Sequence, residues 1–440
     1  MIYRGDLFSK KRMLALMESV RSVLEQLVQL GLFATGLPIA ESLLRQALPA
    51  HVWAFFDTLT PVMRKDGSSR LWNADLAPYA HDLSLPADAM PDAKGLYRHA
   101  GKDVLPLAGQ HYAVATDPVT GHYRLQHPSR PDAYRPRLYT NDRGAWVTEL
   151  DYPLAWDRPT LLRRLGHQVD ALSDAQLEQV RHISGVDDDA LRAHYLNRQP
   201  PPALLADSLR RFKIDHDLHT FAAQLRSDDP AVYSHADAQT QLFLLTRYGL
   251  WPKTKTLRFL DRHGTVAWEV VGNPDAAVVQ IPEEQLTNGD LLKTLLQALD
   301  EPERKQLLEE EFGLPPISLE ARAGTLRARL ADLAQDKHAA LFESRYHSLE
   351  HTTDAGLQSL INAERGLPLS AAEALLHHAS TSELRELNQG NIPQSLQQRA
   401  RAALHQVRVA RAYEGLYRES LASLDTHRLA LHSLQRLPGW

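Results

Sequence analysis

The sequence predicts an α+β fold that is mainly α, with helical subdomains around a small antiparallel β-meander and a second, minor strand pair. Apolar residues recur at three- and four-residue spacing near the N-terminus, and short alternating runs fill residues 95–148. Capping-box sequences precede several later segments. Since 440 residues exceed what one hydrophobic core organises, we expect four segments: residues 1–90, 91–160, 161–315 and 316–440.

The N-terminal segment, residues 1–90, is predicted to be helical. The stripe of its first helix, residues 9–35, consists of Met13, Met17, Val20, Leu24, Leu27 and Leu30. A second helical stretch, residues 39–59, contains the aromatic side chains Trp53, Phe55 and Phe56. Because its polar face is not basic, as that of a membrane-surface helix would be, we expect these aromatic rings to pack in a core.

Residues 95–148 are predicted to form the meander. Its five alternating runs are Asp103–Leu107, Gln110–Thr116, His122–His127, Leu138–Thr140 and Ala145–Thr148. Turn sequences that end in Gly121 and Gly144 separate some of these runs. We expect Tyr112 and Trp146 to be mostly buried, each contributing on the order of 2–3 kcal/mol through apolar area.

The minor strand pair is predicted at Thr256–Leu260 and Val266–Val271, joined through a turn at Gly264 and extended by Val278–Ile281. The remaining residues are predicted to be helical. The capping boxes are Ser173 with Gln176, Ser370 with Glu373, and Ser380 with Glu383. The acidic run 187–189 favours a helix start at Ala190, and the prolines at 200–202 and 315–316 are predicted breaks.

Composition excludes several classes of site. The chain has no cysteine, which rules out disulfides, thiolate nucleophiles and cysteine-ligated zinc. Its formal net charge is −5 and no basic cluster stands apart from acidic neighbours, so we expect no nucleic-acid partner. Glu18 and Arg21 interrupt the first apolar stretch, which argues against a signal peptide. No uncharged apolar run approaches the roughly 20 residues that span a bilayer.

One short motif matches a catalytic pattern. His347-Ser348-Leu349-Glu350-His351 fits H-x-x-E-H, in which two histidines one helical turn apart bind zinc and the glutamate acts as base. A third ligand would have to come from Glu414 or Glu419. The alternative is a solvated helix face, because the segment is charged and 21 histidines make chance pairs common. We expect this alternative, with partly exposed imidazoles.

Other candidate sites lack the necessary pattern. His377 and His378 are adjacent, so they point to different helix faces. The run 187–189 lacks the spacing and the glycine of a calcium loop. We find no nucleophile elbow, phosphate-binding glycine loop or dinucleotide fingerprint. The sequence therefore assigns no catalytic or cofactor-binding residue and predicts no cofactor.

Three stretches carry a family resemblance. The first contains Gly95-Leu96-Tyr97-Arg98, Leu107-Ala108-Gly109-Gln110-His111-Tyr112, His127-Pro128-Ser129-Arg130-Pro131 and Gly144-Ala145-Trp146. The second contains Leu177-Glu178-Gln179-Val180-Arg181, Ile183-Ser184-Gly185-Val186, Pro201-Pro202 and Asp207-Ser208-Leu209-Arg210-Arg211-Phe212. The third contains Leu341-Phe342-Glu343-Ser344-Arg345-Tyr346, Gly366-Leu367-Pro368, Ala410-Arg411-Ala412-Tyr413-Glu414-Gly415-Leu416-Tyr417 and Leu437-Pro438-Gly439-Trp440. Over residues 95–440 the chain resembles the dermonecrotic-toxin-like region of very large bacterial effector proteins.

The resemblance implies a non-catalytic scaffold or targeting module of a secreted toxin or effector, delivered into a host or competitor cell and binding a protein partner there. In that family, leucine-rich repeats and a cysteine-dependent ubiquitin-ligase domain often follow this region. Without cysteine, ligase activity is assigned to no residue here. Two alternatives stay open: a zinc-dependent hydrolase or protease centred on His347, Glu350 and His351, and a membrane-interacting translocation segment that rests on residues 9–59.

Overall fold

The computed structural model describes residues 59–63, 69–74, 76–86, 89–131, 133, 135–149, 151–270, 276–286, 291–310 and 317–434. The predicted class, α+β with mainly α, is confirmed. The helices predicted for residues 9–35 and 39–58 lie outside the described residues. None of the described helices combines the length and apolarity needed to cross a bilayer.

The strands are β1 Leu59–Met63, β2 Ser69–Ala74, β3 Tyr97–His99, β4 Lys102–Leu107, β5 Gln110–Thr116, β6 Tyr123–Leu125, β7 Leu138–Thr140, β8 Trp146–Thr148, β9 Lys255–Leu260, β10 Val266–Val270 and β11 Ala277–Pro282. The helices are α1 Arg158–Arg163, α2 Asp174–Ser184, α3 Asp188–Asn197, α4 Ala203–Arg226, α5 Pro230–Tyr233, α6 Ala238–Arg247, α7 Leu291–Gln297, α8 Glu301–Leu308, α9 Leu319–Asp336, α10 His338–Leu349, α11 Ala355–Ala363, α12 Leu369–His377, α13 Thr381–Asn388, α14 Gln394–Tyr417 and α15 Leu424–Leu434.

The chain divides into two compact units. The first comprises residues 1–170 and 186–202, and the second comprises residues 171–185 and 203–440. The chain enters the second unit for the last time at Ala203, directly after the three prolines at 200–202. The four-segment division given above is finer than these two units and stays a prediction.

The first unit contains the predicted meander. Strands β3, β4, β5 and β6 form an antiparallel sheet in that order, and β7 and β8 form a hairpin. All five strands predicted for the meander are present, and β3 of the four-stranded sheet was not predicted. Tyr112 and Trp146 are buried as expected, in one apolar cluster with Leu105 and Leu125. The indole Nε1 of Trp146 donates to the backbone oxygen of Lys94 at 2.7 Å, so its one polar atom has an acceptor.

One part of the predicted helical segment 1–90 is wrong. Strands β1 and β2 pair antiparallel, with Leu59 opposite Ala74 and Met63 opposite Ser69. The sequence between them contains Asp66-Gly67, a dipeptide that favours a tight hairpin turn. This turn signal, which the helical prediction passed over, explains the difference.

The second unit contains the minor strand pair. β9 and β10 are antiparallel, and β11 adds to the other edge of β9 in parallel orientation. The predicted pair and its extension by Val278–Ile281 are confirmed, although residue 271 at the predicted end of β10 lies outside the described residues. A parallel neighbour requires a longer connection than a hairpin, and residues 261–276 separate β9 from β11 in the sequence.

Two of the three predicted capping boxes are confirmed. Ser173 caps α2 and Ser380 caps α13, each with the reciprocal side chain three residues on. The prediction for Ser370 is wrong, because the cap position is Pro368, two residues earlier, and Ser370 lies inside α12. There the carboxylate of Glu350 accepts the backbone N–H of Leu369, so a distant side chain replaces the local cap. Helix α3 begins at Asp188, two residues before the predicted start at Ala190, because Asp187 is the N-cap and accepts from Ala190 N.

Helix α4 is the central element of the second unit. It packs against α2, α9, α10, α12 and α14. Its buried positions include the apolar residues expected of a core helix, such as Leu209, Phe212 and Leu218. They also include charged residues, Asp207, Arg211 and Asp215. Since a helix that is covered on several sides must bury some polar positions, these groups need partners inside the unit.

Candidate functional site

Polar side chains of α4, α10 and α14 meet inside the second unit. We call this cluster the polar zipper; it consists of Asp207, Ser208, Arg211 and Asp215 of α4, His338 and Tyr346 of α10, and Arg411 and Glu414 of α14. Asp207, Arg211 and Asp215 recur at four-residue spacing, which places them on one face of the helix. The zipper is therefore a stripe of charged groups along the most buried helix of the unit.

Asp207 lies at one end of the zipper. The hydroxyl of Tyr346 donates to Asp207 Oδ1 at 2.5 Å, and Arg411 Nη2 donates to Asp207 Oδ2 at 3.2 Å. The same guanidinium nitrogen lies 2.8 Å from the Tyr346 oxygen. Burial, together with the charge of Asp207, raises the pKa of Tyr346, so its phenol stays protonated and acts as a donor.

Glu414 occupies the next position. Its side chain is 0% exposed and accepts two hydrogen bonds, from Ser208 Oγ at 2.7 Å and from Arg211 Nε at 2.6 Å. Burial raises the pKa of this carboxyl even though Arg211 opposes the effect. Each oxygen of the carboxylate has one donor, which is the arrangement that a buried ion pair requires.

Aromatic rings on α10 cover these ion pairs. His338, Phe342 and Tyr346 follow at four-residue spacing, and the rings of Phe342 and Tyr346 are stacked within 4° of parallel. The guanidinium carbon of Arg211 lies 4.8 Å from the centre of the Phe342 ring. The aromatic faces thus shield the cations from water while interacting with their charge.

Asp215 lies at the other end of the zipper. Its carboxylate accepts from Ser420 Oγ at 2.5 Å, and His338 Nε2 lies 3.2 Å from the same oxygen. His219, one turn further along α4, donates from Nδ1 to the backbone oxygen of Asp215 at 2.8 Å. Arg418 Nη1 lies 3.5 Å from Asp215 Oδ2. Burial opposes ionisation of Asp215, but His338 and Ser420 outweigh it and hold its pKa below the ordinary value.

The H-x-x-E-H motif does not form the predicted geometry. Helix α10 ends at Leu349, so Glu350 is its C-cap and His351 lies beyond it. The carboxylate of Glu350 pairs with Arg210 and accepts from Leu369 N, and burial raises its pKa. Arg210 lies on α4 and Leu369 is the first residue of α12, so the carboxylate of Glu350 is directed at two other helices.

The histidines of the motif point elsewhere. His347 is 77% exposed and its Nδ1 donates to the backbone oxygen of Glu343, while His351 is exposed outside the helix. Of the proposed third ligands, Glu414 lies in the polar zipper and Glu419 in a short 3-10 turn. His377 and His378 are both exposed.

Of the zipper residues, only Glu414 had a predicted role, as a possible third zinc ligand. Asp207, Ser208 and Arg211 lie in the second resembling stretch, and Tyr346, Arg411 and Glu414 lie in the third. The sequence feature that could have predicted the zipper is the four-residue repeat of charged residues in α4, which is interspersed with apolar residues. Such a repeat also occurs on solvated helix faces, and only the packing of α10 and α14 distinguishes the two.

Comparison with known proteins adds no assignment: no family model, no curated protein and no solved structure matches the chain.

Proposed function

We propose that this chain is a non-catalytic scaffold or targeting module of a large secreted bacterial toxin or effector. The observation that carries the proposal is where the residues of the family resemblance lie in the structure. Parts of two stretches far apart in sequence, residues 207–212 and residues 341–346 with 410–417, contribute most members of the polar zipper. There they pair with each other and are buried, so their contribution is to hold three helices together.

The chemistry of the zipper supports a structural role. Asp207 and Glu414 are 3% and 0% exposed, and each is neutralised by an arginine. A catalytic carboxylate or phenol must reach a substrate within hydrogen-bonding distance. The buried carboxylate oxygens instead accept hydrogen bonds from Tyr346, Arg411, Ser208 and Arg211.

The enzyme alternative has less support. In a zinc hydrolase centred on His347, Glu350 and His351, Glu350 would have to be free to accept a proton from water. Its carboxylate is engaged with Arg210 and with the first N–H of α12. The alternative of a membrane-interacting segment rests on residues 9–59, and residues 9–58 lie outside the described part of the chain.

A scaffold needs a surface for its partner, and α14 offers one. Val409, Tyr413 and Leu416 follow one face of this helix at spacings of four and three residues and are all exposed. Exposed apolar rows of this kind are typical of protein-binding surfaces. We propose that the partner binds here, on the side of α14 away from its zipper residues.

The partner surface is tested with a matched pair of variants. Leu416 and Leu349 are 51% and 52% exposed, so each tolerates a charge without loss of the fold. The tagged chain, expressed in target cells, should bind a saturable protein partner; Leu416→Asp should abolish that binding and Leu349→Asp should retain it. Multiple turnover of any substrate by the purified chain, or partner binding that is insensitive to Leu416→Asp, would contradict the proposal.

The secreted origin is tested separately. An epitope-tagged chain expressed from its own gene should be found in the medium or inside target cells during contact with them. Retention in the producing cell under every contact condition would refute this part of the proposal and leave the scaffold role standing.

A further inference from the structure

We propose that Asp215, His219 and His338 bind a first-row divalent transition metal ion, with Zn²⁺ as the representative case. One ligand atom from each residue lies within 4.8 Å of the other two. Two imidazoles and one carboxylate form a donor set that suits zinc, cobalt, nickel and iron. This inference is independent of the scaffold role proposed above.

The spacing of the donors fits a common ion. His338 Nε2 lies 3.2 Å from Asp215 Oδ1. Ligand atoms bound tetrahedrally at zinc are about 3.4 Å apart, given bond lengths near ~2.1 Å. The His219 and His338 rings face the same space, with centroids 4.9 Å apart and planes inclined by 48°.

The residues around the ligands hold them in position. The Nδ1–H of His219 donates to the backbone oxygen of Asp215 at 2.8 Å, and the same nitrogen lies 3.5 Å from Asp215 Oδ1. With Nδ1 protonated, Nε2 is the ring nitrogen left to bind an ion. Ser420 Oγ donates to Asp215 Oδ1 at 2.5 Å. Hydrogen bonds from the distal imidazole N–H to a backbone carbonyl, and from a hydroxyl to the carboxylate, are the usual second layer of a metal site.

Two buried atoms of the cluster lack a hydrogen bond. Among the described residues, neither Asp215 Oδ2 nor His338 Nε2 makes a well-aligned hydrogen bond; their charged neighbours are Arg418 Nη1 at 3.5 Å and Asp215 Oδ1 at 3.2 Å, respectively. The side chain of Asp215 is 0% exposed and that of His338 is 14% exposed, so water does not readily replace the missing partner. Since a buried polar atom is most stable with a well-aligned partner, both atoms are suited to binding an ion.

The cluster also has an entrance. His219 is 57% exposed and lies on the solvent side of Asp215. Its position one turn from Asp215 on α4 repeats the i, i+4 spacing of helical metal ligands. His338 is the first residue of α10, so a bound ion would fasten the start of that helix to α4.

Arg418 opposes a cation at this position. Its Nη1 lies 3.5 Å from Asp215 Oδ2, and its Nη2 is buried without a hydrogen bond among the described residues. The guanidinium neutralises part of the carboxylate charge and repels a dication. If the cluster were only an ion pair, Arg418→Gln would weaken it, whereas at a metal site the same change strengthens binding.

The test uses the full chain, stripped with chelator and titrated with Co²⁺ and Zn²⁺. We expect one ion per chain, visible absorption bands from bound Co²⁺, and a higher midpoint of thermal unfolding with metal. His219→Gln and His338→Gln should each weaken binding about tenfold or more, and Arg418→Gln should tighten it. His219 is half exposed, so its variant keeps the fold, which circular dichroism verifies.

His347→Gln is the matched control. His347 lies on α10, as His338 does, but it is 77% exposed and outside the cluster. This variant should leave the affinity for both ions unchanged. The proposal is overturned if the wild-type chain binds no Co²⁺ at millimolar concentration, or if binding survives in both His219→Gln and His338→Gln. Loss of binding in His347→Gln and retention in His338→Gln would assign the metal to the H-x-x-E-H motif instead.

Discussion

Tyr346 and Asp207, which are 139 residues apart in sequence, are joined by a 2.5 Å hydrogen bond in which the phenol donates to a buried carboxylate. The bond connects α10 to α4 where Arg411 of α14 also reaches Asp207. Three helices are therefore fixed through one carboxylate. The stability of the second unit should depend on each donor to Asp207. Removal of the Tyr346 hydroxyl is the smallest change that measures this dependence.

The first prediction is that Tyr346→Phe lowers the free energy of unfolding by about 1–3 kcal/mol, because Asp207 loses a donor that water does not replace. Urea unfolding followed by circular dichroism measures the change. Tyr413→Phe is the control: Tyr413 lies on α14 and is 38% exposed, so its hydroxyl contributes little. Equal effects of the two variants would contradict the assigned role of Tyr346.

The second prediction compares two ion pairs of α14. Glu414→Ala should cost about 3–5 kcal/mol of unfolding free energy, because it leaves Arg211 buried without its carboxylate. Asp425→Ala breaks the pair with Arg408, which is 58% exposed, and should cost about 1 kcal/mol or less. Chemical denaturation of both variants tests the difference. A loss at Glu414 no larger than that at Asp425 would show that the zipper contributes no more than a surface pair.

The third prediction concerns two helical glycines. A Cβ on Gly415 of α14 would lie 2.7 Å from Ala422 Cα and closer still to Thr426, so Gly415→Ala should destabilise the chain by about 1–3 kcal/mol. A Cβ on Gly324 of α9 would meet only the far end of Arg327 at 3.6 Å. Gly324→Ala should therefore stabilise by about 0.5–1 kcal/mol through helix propensity. Opposite signs in thermal unfolding are the expected result, and equal signs would refute the packing argument.

The fourth prediction is a pH effect at the start of α13. Hydrogen bonds from Ser395 and from the backbone of Ser380 lower the pKa of Glu383 from 4.5 to about 2, with a further contribution from Arg399. Because the folded pKa is below the unfolded one, Glu383 stabilises the fold above pH 4.5 and loses this contribution as the pH falls toward 2. The carboxyl carbon resonance of Glu383, followed by NMR, should titrate near the lower value.

Ser395→Ala provides the matching variant. It removes the largest cause of the shift, so the pKa of Glu383 should rise toward its ordinary value. Glu383→Gln should flatten the decrease in unfolding free energy between pH 4.5 and 2. An unshifted resonance in the wild-type chain, or a Ser395→Ala variant that titrates like it, would count against the assigned hydrogen bonds.

The local features of the fold were largely predictable from the sequence. The alternation in residues 103–148 predicted five strands because side-chain direction in a strand follows from its two-residue period. Ser173 and Ser380 predicted helix starts because their caps form with residues three positions away. Ser370 misled the prediction, since its helix receives its cap from Glu350, which lies 19 residues away from Leu369. A local pattern does not contain that contact.

The candidate sites were less predictable for the same reason. The H-x-x-E-H motif satisfied a local pattern, yet Arg210, 140 residues away from Glu350, draws the glutamate out of the motif. Conversely, Asp215 and His338 were assigned no role, because the packing of α10 on α4 brings them together. The sequence shows the spacing of residues along one helix, but it does not show which other helix packs against them.

The alternation of charge along α4 also determines how α14 can slide against it. Arg411 faces Asp207 and Glu414 faces Arg211. A slip of one helical turn, about 5.4 Å, in one direction would set Arg411 against Arg211 and Glu414 against Asp215. The opposite slip would set Glu414 against Asp207. Both place like charges together in a dry interface, whereas an interface of leucines would tolerate either. The charges of the zipper thus favour one register of α14 on α4. The two registers that differ from it by one helical turn are disfavoured during folding because they bury like charges side by side.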